Sequence, residues 1–153
     1  MPPIAIVTDT DASLPPALAE RYGIRQVPIT IHFGAEVLEA CVGIDDAATF
    51  ARVDREGKLP TTAAPSPARF AQAYDEAFAA GASSVLCFCV SSGVSAAYSA
   101  AVLARDQFPG RDIRVVDTRT LSMAQGFQVL AAAQAAAAGA GPEQALAAAG
   151  EVA

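Results

Sequence analysis

Apolar residues concentrate in three short segments, continuous at 4–7, opened by Ser84 at 84–90 and interrupted by Arg114 at 113–116, separated by segments in which they recur every three or four positions. Continuous runs of this length suit strands covered on both faces, whereas a 3.6-residue recurrence suits helices packed along one side. The first run, Ile4-Ala5-Ile6-Val7, ends in Thr8-Asp9-Thr10-Asp11. Ser13 and Pro15 then open a helix to about Tyr22, and Gly23 stops it. Residues 24–33 predict a strand with Val27, Ile29, Ile31 and Phe33 on one face, and 37–42 a short return strand after a turn at Gly34.

Asp45 or Asp46 caps a predicted helix to about Arg55, ended by Gly57. Residues 59–67, with three prolines, read as a loop. Pro67 starts a helix to Ala80, with Phe70, Tyr74, Ala77 and Phe78 on one face. The run 84–90 is followed by a turn at 91–95 and a helix over 94–107, broken by Pro109-Gly110. The run 113–116 ends at Asp117. An alanine-rich helix over 122–138 and a last helix from Pro142 complete the chain. Strands alternating with helices imply right-handed βαβ units, hence an α/β fold of three layers: a mostly parallel sheet with helices on both faces.

Composition sharpens this picture. Hydrophobic residues make up 53% of the 153, and about a quarter of the chain is alanine, which lets helices lie close to a sheet. Ten Lys+Arg against sixteen Asp+Glu give a net charge of −6. That leaves no basic excess for nucleic acid. The longest apolar stretch, 127–140, is broken by Gln128 and Gln134 and is too short to span a bilayer, so no transmembrane segment is expected. Cys41, Cys87 and Cys89 are odd in number and lack a framework spacing, which predicts reduced thiols and a cytoplasmic protein. Cys87 and Cys89 share a strand face as small core residues. The final helix runs out without a cap, as in a fragment of a longer protein or a frayed natural end.

Candidate chemistry gathers at the carboxyl ends of the strands, where open α/β sheets bind ligands. These ends carry Thr8-Asp9-Thr10-Asp11, Ser91-Ser92-Gly93-Val94-Ser95 and Asp117-Thr118-Arg119-Thr120, and the 59–67 loop adds Thr61 and Thr62. A helix opening at Val94 would present unpaired N–H groups beside the hydroxyls of Ser92 and Ser95, a setting for a carboxylate or phosphate. Plain N-capping by the same serines is the competing reading, and the sequence leaves both open. Asp9 and Asp11 with Asp45 or Asp46 are caps and turn residues before they are cation ligands; no metal or other cofactor is expected. There is no glycine-rich phosphate loop, no nucleophile elbow, one lysine (Lys58) and one histidine (His32), so enzyme chemistry is poorly supplied.

The order of these motifs resembles the DegV family of bacterial fatty-acid-binding proteins. The likeness rests on Val7-Thr8-Asp9-Thr10, Leu14-Pro15, Tyr22-Gly23-Ile24, Val27-Pro28-Ile29, Leu59-Pro60-Thr61-Thr62, Pro65-Ser66-Pro67, Ser91-Ser92-Gly93-Val94-Ser95, Val116-Asp117-Thr118 and Ser122-Met123 with Gly126. It implies that residues 1–153 are the N-terminal α/β domain of a two-domain protein whose C-terminal lipid-binding domain is absent from this chain. It also implies a long-chain fatty acid as ligand, with Thr61, Thr62, Ser92 and Ser95 as carboxylate-binding positions. The implied role is a non-enzymatic one in phospholipid metabolism, presenting the acid to a fatty-acid kinase. Ala63-Ala64 and Ala96-Ala97 stand where the family commonly carries polar residues. Two other readings remain: an interaction domain that has lost lipid and forms a homodimer, and, by fold analogy alone, a kinase-like enzyme.

Overall fold

The structure is a computed structural model and describes residues 3–153. Its frame is a four-stranded parallel sheet built from β1 (Ile4–Asp9), β2 (Arg25–Val27), β6 (Ser84–Cys89) and β7 (Asp112–Asp117), in the order β2-β1-β6-β7. Side chains alternate across it as a pleated strand requires. Ala5 and Val7 of β1, with Val85, Cys87 and Cys89 of β6, face α3 (Pro67–Ala79) and α4 (Ala97–Arg105). Ile6, Leu86 and Phe88 face α1 (Pro16–Arg21), α5 (Met123–Ala137) and α6 (Pro142–Gly150). The expected three layers are therefore present. Cys87 and Cys89 do share a face, with their sulfurs 3.9 Å apart in the core. Their mutual hydrogen bond, with burial, holds the Cys89 thiol far above its usual range, so it is no ready nucleophile.

The predicted strand over 24–33 is two strands in two sheets. Pro28 has no N–H to continue a ladder, and β2 ends before it. The Ile29 N–H turns instead to the Thr10 hydroxyl at 3.0 Å. Beyond it, β3 (Thr30–Phe33) pairs antiparallel with β4 (Glu36–Glu39) and with β5 (Thr61–Ala63). Residues 61–63, expected as loop, thus form an edge strand. This small sheet holds its own cluster of Ile31, Phe33 and Ala40. It is braced by α2 (Asp46–Glu56), whose Arg52 lies 4.0 Å over the Phe33 ring and pairs with Glu36 and Glu56. An ion pair from Arg69 of α3 to Glu39 links it to the main body.

The chain leaves β1 toward β2 on one side and returns to β6 on the other, so the strand order reverses at β1. A crevice opens at such a reversal. Asp9, fully buried at the end of β1, holds this crevice together: its carboxylate accepts from the Val90 N–H and from the Gln125 side chain, both at 2.9 Å. Gln125 also donates to Thr8 at 3.0 Å. Burial outweighs these two donors and the Asp9 carboxyl is pushed up to about 6. Next to this clasp, α5 presses on the short 3-10 turn Thr10–Ala12, and a Cβ on Gly126 would meet the Ala12 carbonyl oxygen at 2.7 Å.

Two predictions follow from this packing. Gly126→Ala destabilises the protein by about 1–3 kcal/mol in chemical denaturation, the usual cost of an overpacked contact, although alanine is the better helix former. Asp9 binds its proton more tightly when folded than when unfolded. Its charging therefore lowers stability as pH rises from about 4 through about 6. Compared with Asp9→Asn, which cannot charge, the wild type loses about 3 kcal/mol across that window, a shift of roughly two units at 1.36 kcal/mol each. Parallel denaturation curves at several pH values check the difference.

Candidate functional site

Three segments converge at the crevice. From β1 come Asp9, Thr10 and Asp11, and from the end of β6 come Val90 and residues 91–95. The small sheet brings Ile29 and the β5 edge. They enclose a cleft of about 240 Å³ lined by Asp11, Ile29, Thr62, Ala63, Ala64, Val90, Val94, Ser95 and Leu121. Thr62 and Ser95, two of the four expected site residues, stand in this one cleft on opposite walls. Its rim is apolar: Val94 is 68% and Leu121 57% exposed.

The other two expected residues are placed differently. Thr61 precedes Thr62 on a strand and so points to the opposite face; it pairs with His32, and the cleft takes only Thr62. Ser92 is exposed outside the cleft lining, and its hydroxyl donates to one Asp117 oxygen at 2.6 Å and its N–H to the other at 3.1 Å. The Ser92 hydroxyl, followed by the N–H groups of Arg119 and Ser92, holds the Asp117 carboxyl below the usual carboxylate range. Ser92 therefore positions the 91–95 loop. Asp117 is the functional neighbour that motif reading left unassigned; its place at the end of β7, level with Ser92 at the end of β6, was the available signal.

The helix after this loop does not open at Val94. It begins at Ala97, with Ala96 at the cap position and no side-chain cap bond there. The Ser95 hydroxyl accepts from the Ala97 N–H at 3.2 Å and so takes up one of the free N–H groups expected to meet an anion. Its own proton is left to donate into the cleft. The loop is fixed from behind by Ser91 N–H to the Thr120 carbonyl at 2.9 Å and by the Thr118 hydroxyl to the Cys89 carbonyl at 2.8 Å. Asp45 caps α2, accepting from the Ala48 N–H at 2.7 Å.

Beside the cleft, sharing Asp11 and Ile29 with it, lies a larger cavity of about 600 Å³. Leu14, Pro15, Ile29, Ile31 and Ala40 line it on apolar sides, and Asp45 and Asp46 at its far end. The arrangement can orient a small polar head between two hydroxyls while apolar surface extends from it. Neither histidine nor lysine nor glycine lines the cleft or the cavity.

Known proteins share this fold. A DegV protein of Bacillus subtilis, described as a fatty acid binding protein, superposes with a TM-score of 0.90 at 28% identity, covering 99% of this chain and 54% of that one. A DegV family protein of Thermus thermophilus, described by its fatty acid binding, superposes with a TM-score of 0.87 at 36% identity over 98% of this chain and 53% of that one. A DegV domain-containing protein of Streptomyces coelicolor is 38% identical over 146 residues, which are 95% of this chain and 51% of the relative. The chain thus spans about half the length of the curated relatives it matches. The family model described as "Uncharacterised protein, DegV family" matches residues 3–153. On the strength of that match and of the shared fold, this chain belongs to the DegV family.

Proposed function

We propose that the chain is the head-group-binding half of a protein that carries a long-chain fatty acid. The observation behind this reading is that Thr62 and Ser95 line one cleft whose exposed rim is Val94 and Leu121. Both hydroxyls can donate to a carboxylate, and the acyl chain leaves over the exposed rim. Each methylene removed from water contributes about 0.8 kcal/mol, so the chain supplies most of the affinity and the hydroxyls set its direction. Fatty acid binding by the Thermus and Bacillus proteins supports the ligand class.

In this reading a second domain, making up the other half of the relatives' length, covers the rim and encloses the acyl chain. The protein is a carrier: neither Lys, Arg nor His lines the cleft, and phosphoryl transfer to the bound acid falls to a fatty-acid kinase to which it is presented. Exposed Phe127 and Val152, which line a groove with Leu130 and Ala131, favour a second reading as a dimerising domain without lipid.

Native mass spectrometry of the protein, expressed from its complete reading frame, distinguishes them. The carrier reading expects a co-purified or added C14–C18 acid at one per chain; a lipid-free dimer that takes up no added acid rejects it. Thr62→Val and Ser95→Ala each remove one hydrogen bond to a charged group, about 1.5–3 kcal/mol, and are expected to weaken binding roughly tenfold or more while the fold is retained. Unaltered affinity in the double variant rejects this placement of the head group.

A further inference from the structure

At the amino end of the sheet, opposite the cleft, part of β1 lacks a neighbour. Helix α1 has six residues and descends only about 9 Å before the chain turns at Gly23 into β2. β2 therefore joins β1 halfway along: it pairs with Val7, Thr8 and Asp9, whereas Ile4, Ala5 and Ile6 pair with β6. Among the described residues no strand pairs with these three on the other side. Alternate residues of the stretch turn their N–H and C=O groups that way. A cavity of about 240 Å³ stands there in place of the missing strand length. Its walls are alanine, with Ala77, Ala80 and Ala82 on the α3 face of the sheet and Ala133, Ala136 and Ala137 on the α5 face. Tyr22 and Arg25 line the end at which β2 begins. Arg25 forms no ion pair with a described residue. The Arg21 guanidinium lies 5.4 Å over the Tyr22 ring and adds a second positive charge at this end.

An open strand edge accepts another strand through main-chain hydrogen bonds. At about 3.3 Å per residue, the stretch beside Ile4–Ile6 takes roughly three residues. The slot is recessed between two helices, so the sheet edge of a second copy cannot reach it, whereas a flexible extended segment can. β2 already occupies the edge from Arg25 onward, so an added strand stops there. Run parallel to β1, the end that stops at β2 is a C-terminal carboxylate, which Arg25 and Arg21 attract. Run antiparallel, it is an N-terminal ammonium, which both arginines repel. Alanine on both walls leaves room for small side chains and none for large ones. We propose that this slot is a docking site for the C-terminal tail of a partner protein. The tail binds as a strand parallel to β1, with small side chains at its last three positions and its terminal carboxylate on Arg25. The site lies at the opposite end of the sheet from Thr62 and Ser95 and is independent of the fatty-acid reading.

The test is fluorescence anisotropy on the protein expressed from its complete reading frame. The probes are fluorescein-labelled pentapeptides with Ala, Ser, Val or Thr at the last three positions, each made as the free acid and as the C-terminal amide. The expected result is saturable binding of free acids at one per chain, with the amides about tenfold weaker, as loss of a hydrogen bond to a charged group requires. Arg25→Gln removes the difference between acid and amide. Ala80→Leu and Ala136→Leu, one in each wall, fill the slot and abolish peptide binding, while palmitate binding is unchanged. Amide hydrogen exchange slows at alternate residues of Ile4–Ile6 in the complex. Equal binding of acid and amide by the wild type overturns the C-terminal assignment. Peptide binding that survives both leucine variants overturns the slot, and if one variant fails to fold, the other and Arg25→Gln decide. Binding by none of the peptides overturns the partner; if it appears once the last residues of the complete reading frame are removed, the occupant is the protein's own end.

Discussion

A single buried carboxylate governs the carboxyl end of the sheet. Asp9 sits where β1 must release its two neighbours in opposite directions, and there the backbone ladder can no longer join them. Its two oxygens bridge the gap, one to the Val90 N–H and the other to Gln125 in the first turn of α5. A buried charge is costly unless donors surround it, and the two here offset that cost only in part, which is why the group holds its proton so far above the ordinary range. Other ties at this end, Thr10 to Ile29, Thr118 to Cys89 and Ser92 to Asp117, each fix one loop relative to this centre.

The abundance of alanine has a structural meaning beyond helix propensity. Ala97, Ala100, Ala101 and Ala104 are the buried residues of α4, and Ala132 and Ala133 are among those of α5. With no bulk to interpose, the helices lie near the strands and the larger side chains, Phe70, Tyr74 and Phe88, fill what remains. A few large apolar residues stand on the outside, Val94 and Leu121 at the rim of the cleft and Phe127 at the groove on α5.

What could be read from residues alone follows the range of the interactions involved. Apolar runs announced β1 and β6, buried on both faces, and a run broken by Arg114 announced the half-buried β7. Gly23, Gly57 and Pro67 marked helix ends for equally local reasons. β5 was missed because Thr61-Thr62-Ala63 has no apolar alternation; its strand character comes from pairing with β3, about thirty residues earlier. Of the site, Thr62 and Ser95 were legible through motif order. The exclusion of Thr61 needed the strand parity that β5 imposes. The diversion of Ser92 needed Asp117, twenty-five residues away, and Ala96-Ala97 delayed the helix by leaving its start without a capping side chain.

The small sheet has an unequal bond to the rest of the molecule. Its bracing helix α2 buries no residue, its core is three side chains, and it joins the main body largely through the Thr10–Ile29 hydrogen bond and the Arg69–Glu39 ion pair. Few buried contacts mean a low free energy of local opening. The cleft therefore has one wall, carrying Ser95, that belongs to the most stable part of the protein, and one, carrying Thr62, that can exchange its amide hydrogens and swing aside long before the parallel sheet melts. Opening of the Thr62 wall would leave the strand register of the parallel sheet untouched.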